Sequence, residues 1–445
     1  MLNEMLNVLL VIPRYLIYGN CHYVMPMGIL YVSAYMKRMN VAHVHTLNLN
    51  HHEGDERQIL REHIERLGID VLGVGGLSGE YRDLRRITSW CKSDFPNIKL
   101  ILGGGIVTAD PVTTMKAFPE VDFGIIGEGE ITICELIRNI ETQSLTFDDI
   151  CGIAYRAGET VMVTPRRADI AELDKLPFPD YEGFDYGAYL DKNPDMSDVG
   201  KRYSQVSVIG GRSCKYNCTF CFHPTGSKYR QRSLDSIFAE IDYLVEHYDI
   251  SYIALREELF ATDNARVEEF CSRVEPYRFD WSIQLRIDNI NEQLVRMLQN
   301  TRCRYIFVGV ESACDEVLKS MRKGITIKEV EYALQLLHDA GLNFRTGVIL
   351  GDTADTYETA CRTLDWFERH RATYRLYADM IIAFPGSVLY KRAIADGVIP
   401  DPVRFLQDSC PVVNVSRMSD SEFKLILDRV TRINNRIYNY KIYHE

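Results

Sequence analysis

The chain has 445 residues, 46% hydrophobic and 25% charged, enough for two domains with their own cores and too apolar for wholesale disorder. Its 51 basic against 62 acidic residues give a formal charge of −11, which argues against a protein that lives on nucleic-acid phosphate. No apolar run approaches the roughly 18–20 residues of a membrane span, and Val8–Ile12 is too short for a signal sequence, so the expectation is a soluble cytoplasmic protein with no membrane or nucleic-acid partner.

Over residues 1–145 short apolar runs alternate with amphipathic stretches. Strands are expected at Val8–Ile12, His43–Leu49, Val71–Gly75, Lys99–Leu102 and Val121–Ile126, with a helix at Gly28–Met39. That alternation predicts parallel βαβ units in a doubly wound sheet. Three glycine groups follow strands at their carboxyl ends: Gly75-Gly76, Gly103-Gly104-Gly105 and Gly127-Glu128-Gly129. Open α/β sheets bind ligands there, and glycine lets the backbone come close, although tight turns alone would also use it. The first βα turn has no G-x-G-x-x-G, which weakens a dinucleotide reading.

Residues 146–200 carry two short strand candidates around Ala157-Gly158-Glu159, then a proline-rich stretch from Leu176 to Asp195 that is expected to link two domains. From Ser204 the βα alternation resumes. Strands are expected at Gln205–Ile209, Ser251–Leu255, Trp281–Leu285, Tyr305–Val310, Phe344–Leu350 and Ala378–Ala383. Helices fall between them, among them Leu234–Glu246, Val267–Val274, Lys328–Ala340 and Tyr357–Arg369, and Ser419–Tyr438 reads as an amphipathic tail helix. Six successive βα units predict a partial (β/α)6 barrel over 201–400, followed by a helical extension over 401–445.

Twelve cysteines are too sparse for a disulfide scaffold. Nine (Cys21, Cys91, Cys134, Cys151, Cys271, Cys303, Cys314, Cys361 and Cys410) are scattered and read as small buried hydrophobes. The other three form Cys214-x3-Cys218-x2-Cys221, just after the first barrel strand, where barrels build their chemistry. Three thiolates this close can hold one face of a [4Fe–4S] cube and leave one iron open. With His223 added, the same stretch also reads as a four-ligand zinc site. Lys228-Tyr-Arg-Gln-Arg232 looks basic and is expected to be a solvated approach to a helix.

The three-cysteine loop opening a run of βα units resembles the radical S-adenosylmethionine (SAM) superfamily. Phe307-Val-Gly-Val-Glu311-Ser312 is similar to that family's fourth-strand element, Gly347-Val-Ile-Leu-Gly351-Asp to its fifth-strand motif, and Ala383-Phe-Pro-Gly-Ser-Val-Leu-Tyr to its sixth-strand loop. Met25-Pro-Met-Gly-Ile-Leu-Tyr, Leu102-Gly-Gly-Gly, Ile126-Gly-Glu-Gly-Glu and Leu176-Pro-Phe-Pro-Asp-Tyr are similar to the subgroup with a cobalamin-binding domain ahead of the barrel.

The resemblance implies a [4Fe–4S] cluster on Cys214, Cys218 and Cys221, SAM chelated to the open iron, and a 5′-deoxyadenosyl radical that abstracts hydrogen from substrate. It also implies cobalamin at the glycine loops (Gly75, Gly76, Gly103, Gly104, Gly127 and Gly129) and an external electron donor such as flavodoxin or ferredoxin. Phe220 is then a cover for the adenine. Glu311, Ser312 and Arg286 become SAM contacts, Arg286 sharing one face of its strand with Gln284 and Asp288.

Two departures stand out. The Asp-x-His-x-x-Gly signature of histidine-ligated cobalamin is absent, and His43, His45, His51 and His52 do not match its spacing, so cobalamin would lack a protein histidine ligand. After the second barrel strand, Arg256-Glu257-Glu258 replaces the subgroup's paired aspartates, which makes Glu257 and Glu258 candidates for catalytic contacts to substrate or to the SAM amine.

The leading expectation is a cobalamin-dependent methylase of an unactivated carbon in small-molecule (natural product) biosynthesis. The alternative is a radical SAM dehydratase or epimerase of a sugar or aminoglycoside, with the cobalamin-like domain as scaffold; Glu257-Glu258 would suit a cationic sugar. Methylthiolation would need a second cluster site, and a cobalamin sensor would not need the cysteine loop.

Overall fold

The computed structural model describes residues 5–15, 23–144, 146–192, 204–226, 228–435 and 438–443. Cys21 and the end of the proline-rich stretch lie outside them. The chain divides into two units. One comprises Met1–Ser204, Pro224–Gly226 and Asp401–Cys410; the other comprises Gln205–His223, Ser227–Pro400 and Pro411–Glu445.

The first unit holds a sheet of seven strands: β1 (Asn7–Ile12), β2 (His43–Asn48), β3 (Val71–Gly75), β4 (Lys99–Gly103), β5 (Phe123–Ile125), β6 (Ile153–Ala157) and β7 (Thr160–Val163). Their order is β2-β1-β3-β4-β5-β6-β7, parallel through β5 and antiparallel beyond. Val8 to Ile12 are each at most 1% exposed, as expected of a strand covered on both faces, so its pattern is a continuous apolar run rather than an alternation. The order places the topological switch point between β1 and β3, where such sheets take ligands.

The stretch expected to link two halves is built into this unit. β6 and β7 extend the sheet. The Asp180 N–H then donates to the Leu30 carbonyl at 3.1 Å, and the Asp180 carboxylate accepts from Ser33 and Lys37 on the Met27–Met39 helix. Tyr181, Phe184, Tyr186 and Tyr189 follow, all buried.

The second unit contains β8 (Gln205–Val208), β9 (Gly211–Arg212), β10 (Arg230–Gln231), β11 (Tyr252–Leu255), β12 (Asp280–Leu285), β13 (Cys303–Val308), β14 (Phe344–Arg345), β15 (Gly347–Leu350) and β16 (Tyr377–Met380). β8, β11, β12, β13 and β14 pair side by side, all parallel, and β15 pairs with β16. The predicted fifth strand is therefore broken at the buried Thr346. Its first half pairs with β13; its second turns to β16 and keeps a single bridge, Val348 to Glu311. With that break, the unit is the partial six-stranded barrel. The tail helix Asp420–Asn434 starts at a Ser419/Glu422 capping box and buries Phe423 beside Gly351.

One local expectation is corrected. The basic stretch from Lys228 does lead into the helix Leu234–His247 with Lys228 and Gln231 exposed, but it is more than a solvated approach: Arg230–Gln231 pairs with Gly211–Arg212 and closes the base of the cysteine loop. Arg232 is 5% exposed, paired with the buried Glu240, because the loop's neck must turn inward to meet the barrel. Among the eight scattered cysteines that are described, Cys91, Cys134, Cys271, Cys314 and Cys410 are buried, Cys151, Cys303 and Cys361 partly so, and none is in a disulfide.

Candidate active site

β8 ends at Val208, and the cysteine loop leaves the strand through Gly210 and Gly211. A Cβ on Gly211 would stand 2.9 Å from the Arg230 carbonyl oxygen, so the neck closes only with glycine there. The loop is then pinned from three sides. Thr219 N–H donates to Met321 O at 3.0 Å, Leu389 N–H donates to Thr219 O at 2.9 Å, and the Phe222 ring fills the space where Gly386 lacks a Cβ. Two of these contacts come from the sixth-strand motif, through Gly386 and Leu389, and the third from Met321, just past the helix that follows the fourth-strand motif.

Cys214, Cys218 and Cys221 are half-buried and carry free thiols. Burial, then Glu258 and the other two sulfurs, pushes the Cys221 thiol up to about 12; burial raises Cys214 too. Neighbouring sulfurs add to the rise at Cys214 and Cys221, and three thiols gathered in this way are a donor set that a multiply charged cation would relieve. The site thus fits an iron–sulfur cluster. His223 does not extend the set freely. Its Nε2 lies 3.1 Å from the Tyr216 carbonyl and its Nδ1 against Glu258. The Glu258 carboxylate raises the histidine's pKa, and both ring nitrogens face acceptors, which favours the imidazolium over a ligand.

The sequence-derived residues separate clearly. Glu311 lies three residues past β13 at φ +72°, held there because its N–H donates to Gly347 O and its carbonyl accepts from the Ile349 N–H. Its carboxylate meets Lys323 at 2.7 Å in a notch that any Cβ on Gly309 would block. Arg286 donates to Asp288 and to the Lys323 carbonyl, and its guanidinium lies 3.5 Å over the Tyr216 ring. Phe220 is half-buried within the loop. Ser312 turns inward, bonded to Thr363 and to the Cys314 N–H. Gln284 is exposed and donates to the Glu258 carbonyl.

Lys323 was missed by the sequence reading. It is 9% exposed, and although burial disfavours its charge, Glu311 and Cys218 outweigh that and raise its pKa. Met321-Arg322-Lys323-Gly324, just past a short helix, carries no spacing signal that would have singled it out.

Glu257 and Glu258 diverge. Glu258 reaches His223, whereas Glu257 is 7% exposed and accepts from the Gly210 N–H at 2.8 Å beneath the loop's neck. Its other carboxylate oxygen has no partner among the described residues. Burial pushes the Glu257 pKa up to about 7, outweighing the Gly210 N–H and the charges of Arg266 and Arg232, which lower it. A carboxyl raised in this way favours the folded state at low pH, and the advantage is lost as pH climbs from the unfolded value through 7. The Glu257→Gln variant is therefore expected to flatten the stability–pH curve between about pH 4.5 and 7, removing a slope of order 3 kcal/mol in total. Thermal unfolding across that range checks it; an unchanged slope would mean Glu257 is not the group.

In the first unit the glycines have different jobs. A Cβ on Gly104 (φ +86°) would lie 2.6 Å from Gly76 O, one on Gly75 3.1 Å from Gly103, and one on Gly76 against the Glu80 carboxylate. These three are used by the loops packing on one another. Gly129 packs against Val32, whereas Gly103 faces open space and Gly127 (φ +80°) nothing nearer than Arg166 at 3.8 Å. Leu77 beside them is 58% exposed. An open glycine ledge with an exposed leucine fits the flat apolar face of a corrin ring. His51 contacts Tyr23 and Asn48, and His52 meets His63 edge to face. Gly103→Leu is expected to weaken corrinoid retention while leaving melting near the parent's. Gly104→Ala should cost about 1–3 kcal/mol in stability through backbone strain. Equal corrinoid retention by Gly103→Leu would remove the ledge from the site.

A three-thiol loop at the mouth of a partial parallel barrel, in one chain with a doubly wound glycine-lined sheet, defines a class of radical enzyme. Residues 208–367 match the radical SAM superfamily and residues 21–137 the B12 binding domain. The chain is a radical SAM enzyme with an N-terminal B12 binding domain, and its cofactors are a [4Fe–4S] cluster, SAM and cobalamin.

It is 25% identical over 340 residues to an uncharacterised methyltransferase of Pyrococcus horikoshii, covering 76% of this chain and 72% of that protein. It is likewise 25% identical over 429 residues to the anaerobic magnesium-protoporphyrin IX monomethyl ester cyclase of Rubrivivax gelatinosus, covering 94% and 74%. The fold is shared with the radical SAM methyltransferase TsrM from Kitasatospora setae, solved with cobalamin and a [4Fe–4S] cluster: TM-score 0.70, 16% identity, 89% of this chain and 78% of TsrM.

Proposed function

We propose that the chain is a cobalamin-dependent radical SAM methyltransferase that methylates an unactivated carbon of a small molecule in natural product biosynthesis. The observation that carries this reading is one chain holding both the three-thiol loop with its Lys323–Glu311 pair and, on its other sheet, the open Gly103–Leu77 ledge. The names of the P. horikoshii relative and of TsrM point the same way.

When bound, the cluster supplies an electron to SAM and the corrinoid carries the methyl group. The protein's own residues do the rest. Cys214, Cys218 and Cys221 hold three irons. Glu311, at the catalytic mouth, would accept from the SAM amine, and Lys323 holds that carboxylate in place. Arg286 holds the loop that carries Lys323. The Gly103–Leu77 ledge seats the corrin ring.

A reaction that uses only the radical arm, such as a dehydration or epimerisation, is the second reading; that a relative over 94% of the chain is named a cyclase and not a methyltransferase keeps it open. Product counting separates the two. Methylation with true substrate yields S-adenosylhomocysteine and 5′-deoxyadenosine together; a rearrangement, dehydration or epimerisation yields 5′-deoxyadenosine without homocysteine product or methylated substrate.

A further inference from the structure

The chain carries a net charge of −11, yet it concentrates exposed cations on one concave face of the second unit. A cavity of about 450 Å³ is lined by Lys319, Arg392 and Arg417, with Ser320 and Thr353 among its other walls and Glu316 its one acid among the described residues. Lys319 and Arg417 are exposed and have no ion-pair partner among the described residues. Arg392, 61% exposed, reaches Asp396 only at 3.4 Å, a contact open to solvent on both sides. Arg322, next along the chain from the same wall, is exposed as well. Cations kept together repel one another, and with two of the three lacking an ion-pair partner among the described residues the patch is complementary to an anionic partner.

The same wall is in backbone contact with the cysteine loop. Ser320 ends the helix Asp315–Ser320, and Met321, the residue after it, accepts from the Thr219 N–H at 3.0 Å. Arg392 belongs to the helix Val388–Ala395, whose Leu389 N–H donates to Thr219 O at 2.9 Å. The carbonyl of the exposed Arg322 lies 4.0 Å from the Cys218 sulfur. Two helices and one exposed residue therefore join the basic face to a cysteine ligand within a few bonds.

We propose that this face, centred on Lys319, Arg392 and Arg417, docks a small acidic one-electron carrier protein of the flavodoxin or ferredoxin class, which reduces the cluster through the contacts of Thr219 with Met321 and Leu389 and of Arg322 with Cys218. The inference rests on the radical SAM reading, which requires an electron. The carrier is oxidised by one electron and the cluster is reduced by one; no bond forms and no group or proton crosses the contact. Complementary charge sets the rate and orientation of encounter, and salt weakens it.

The test uses the full-length, cluster-loaded protein in anaerobic stopped flow, with reduced flavodoxin as the probe and loss of the oxidised cluster's absorbance as the signal. The parent's bimolecular rate is expected to fall steeply with added NaCl. Lys319→Glu/Arg392→Glu/Arg417→Glu should be at least about ten-fold slower at low ionic strength, while dithionite reduction and dithionite-driven SAM cleavage match the parent. The milder Lys319→Gln/Arg417→Gln variant, altered only at exposed positions, should fall between, and it carries the test if the triple variant loses iron. Parental flavodoxin rates in the variants, or a parent rate indifferent to salt, overturn the docking site. A parent that cannot cleave SAM even with dithionite overturns the radical SAM reading instead, so the two failures are distinct.

Discussion

Replacing Cys214, Cys218 and Cys221 with alanine is expected to abolish the broad visible absorbance of the reconstituted protein and to reduce SAM cleavage to background. The reason is specific to the loop. Its three thiols are half-buried side by side, and the loop is already tied by the Thr219 backbone and the Phe222 ring. The frame is therefore preorganised, and the variants remove only the donors. A matched control removes Cys91, Cys134 and Cys271, which are equally cysteines but packed in cores. That control should lose some stability, about 1 kcal/mol per site as small core truncations do, and keep its iron. A cluster and 5′-deoxyadenosine in the loop variant, or lost iron in the control, would reverse the assignment. Iron and sulfide analysis beside the absorbance spectrum reads both.

The second large effect is expected at Lys323. Its ammonium and the Glu311 carboxylate are 11% and 15% exposed in their side chains and meet at 2.7 Å. Lys323→Met would leave Glu311 buried without its counter-charge, and breaking one side of such a pair costs about 3–5 kcal/mol. Removing both charges, with Lys323→Met and Glu311→Gln together, should recover most of that loss, since the pair's net worth is far smaller than the penalty for half of it. SAM cleavage should stay low in both. Chemical denaturation of the two variants and the parent gives the answer. Equal stability of Lys323→Met and the parent would show that the pair is solvated and weak.

The extent to which this molecule is legible in its sequence follows from how local each signal is. Buried parallel strands advertise themselves as apolar runs, so β1, β3 and β11 stand within a residue or two of their expected places. The break at Thr346 is only faintly written, because Phe344-Arg-Thr-Gly-Val-Ile-Leu350 keeps apolar ends and its Gly347 would suit a close approach inside an unbroken strand as well as a change of partner. The cysteine spacing is a contiguous motif and reads directly.

Lys323 and its notch at Gly309 depend on a contact between residues fourteen positions apart, formed only by the fold. The glycine loops show the same limit. The sequence marks all of them alike, yet Gly75, Gly76 and Gly104 serve loop against loop while Gly103 alone faces open space. Glycine records a need for room and does not record whose room it is.

The division of the chain into its two units has a practical consequence for recombination. The polypeptide passes from one unit to the other at 204, returns for Pro224–Gly226, leaves again, and comes back for Asp401–Cys410 before its last stretch. The returning segment is no loose appendage: Phe405 is fully buried and Leu406 and Cys410 are 2% exposed. A cassette cut at a single peptide bond near 204 would carry away the sheet without the helix Pro402–Gln407 that covers the helix Pro111–Ala117. Chimaeras that exchange the corrinoid half between enzymes of this build should therefore graft three stretches of sequence rather than one.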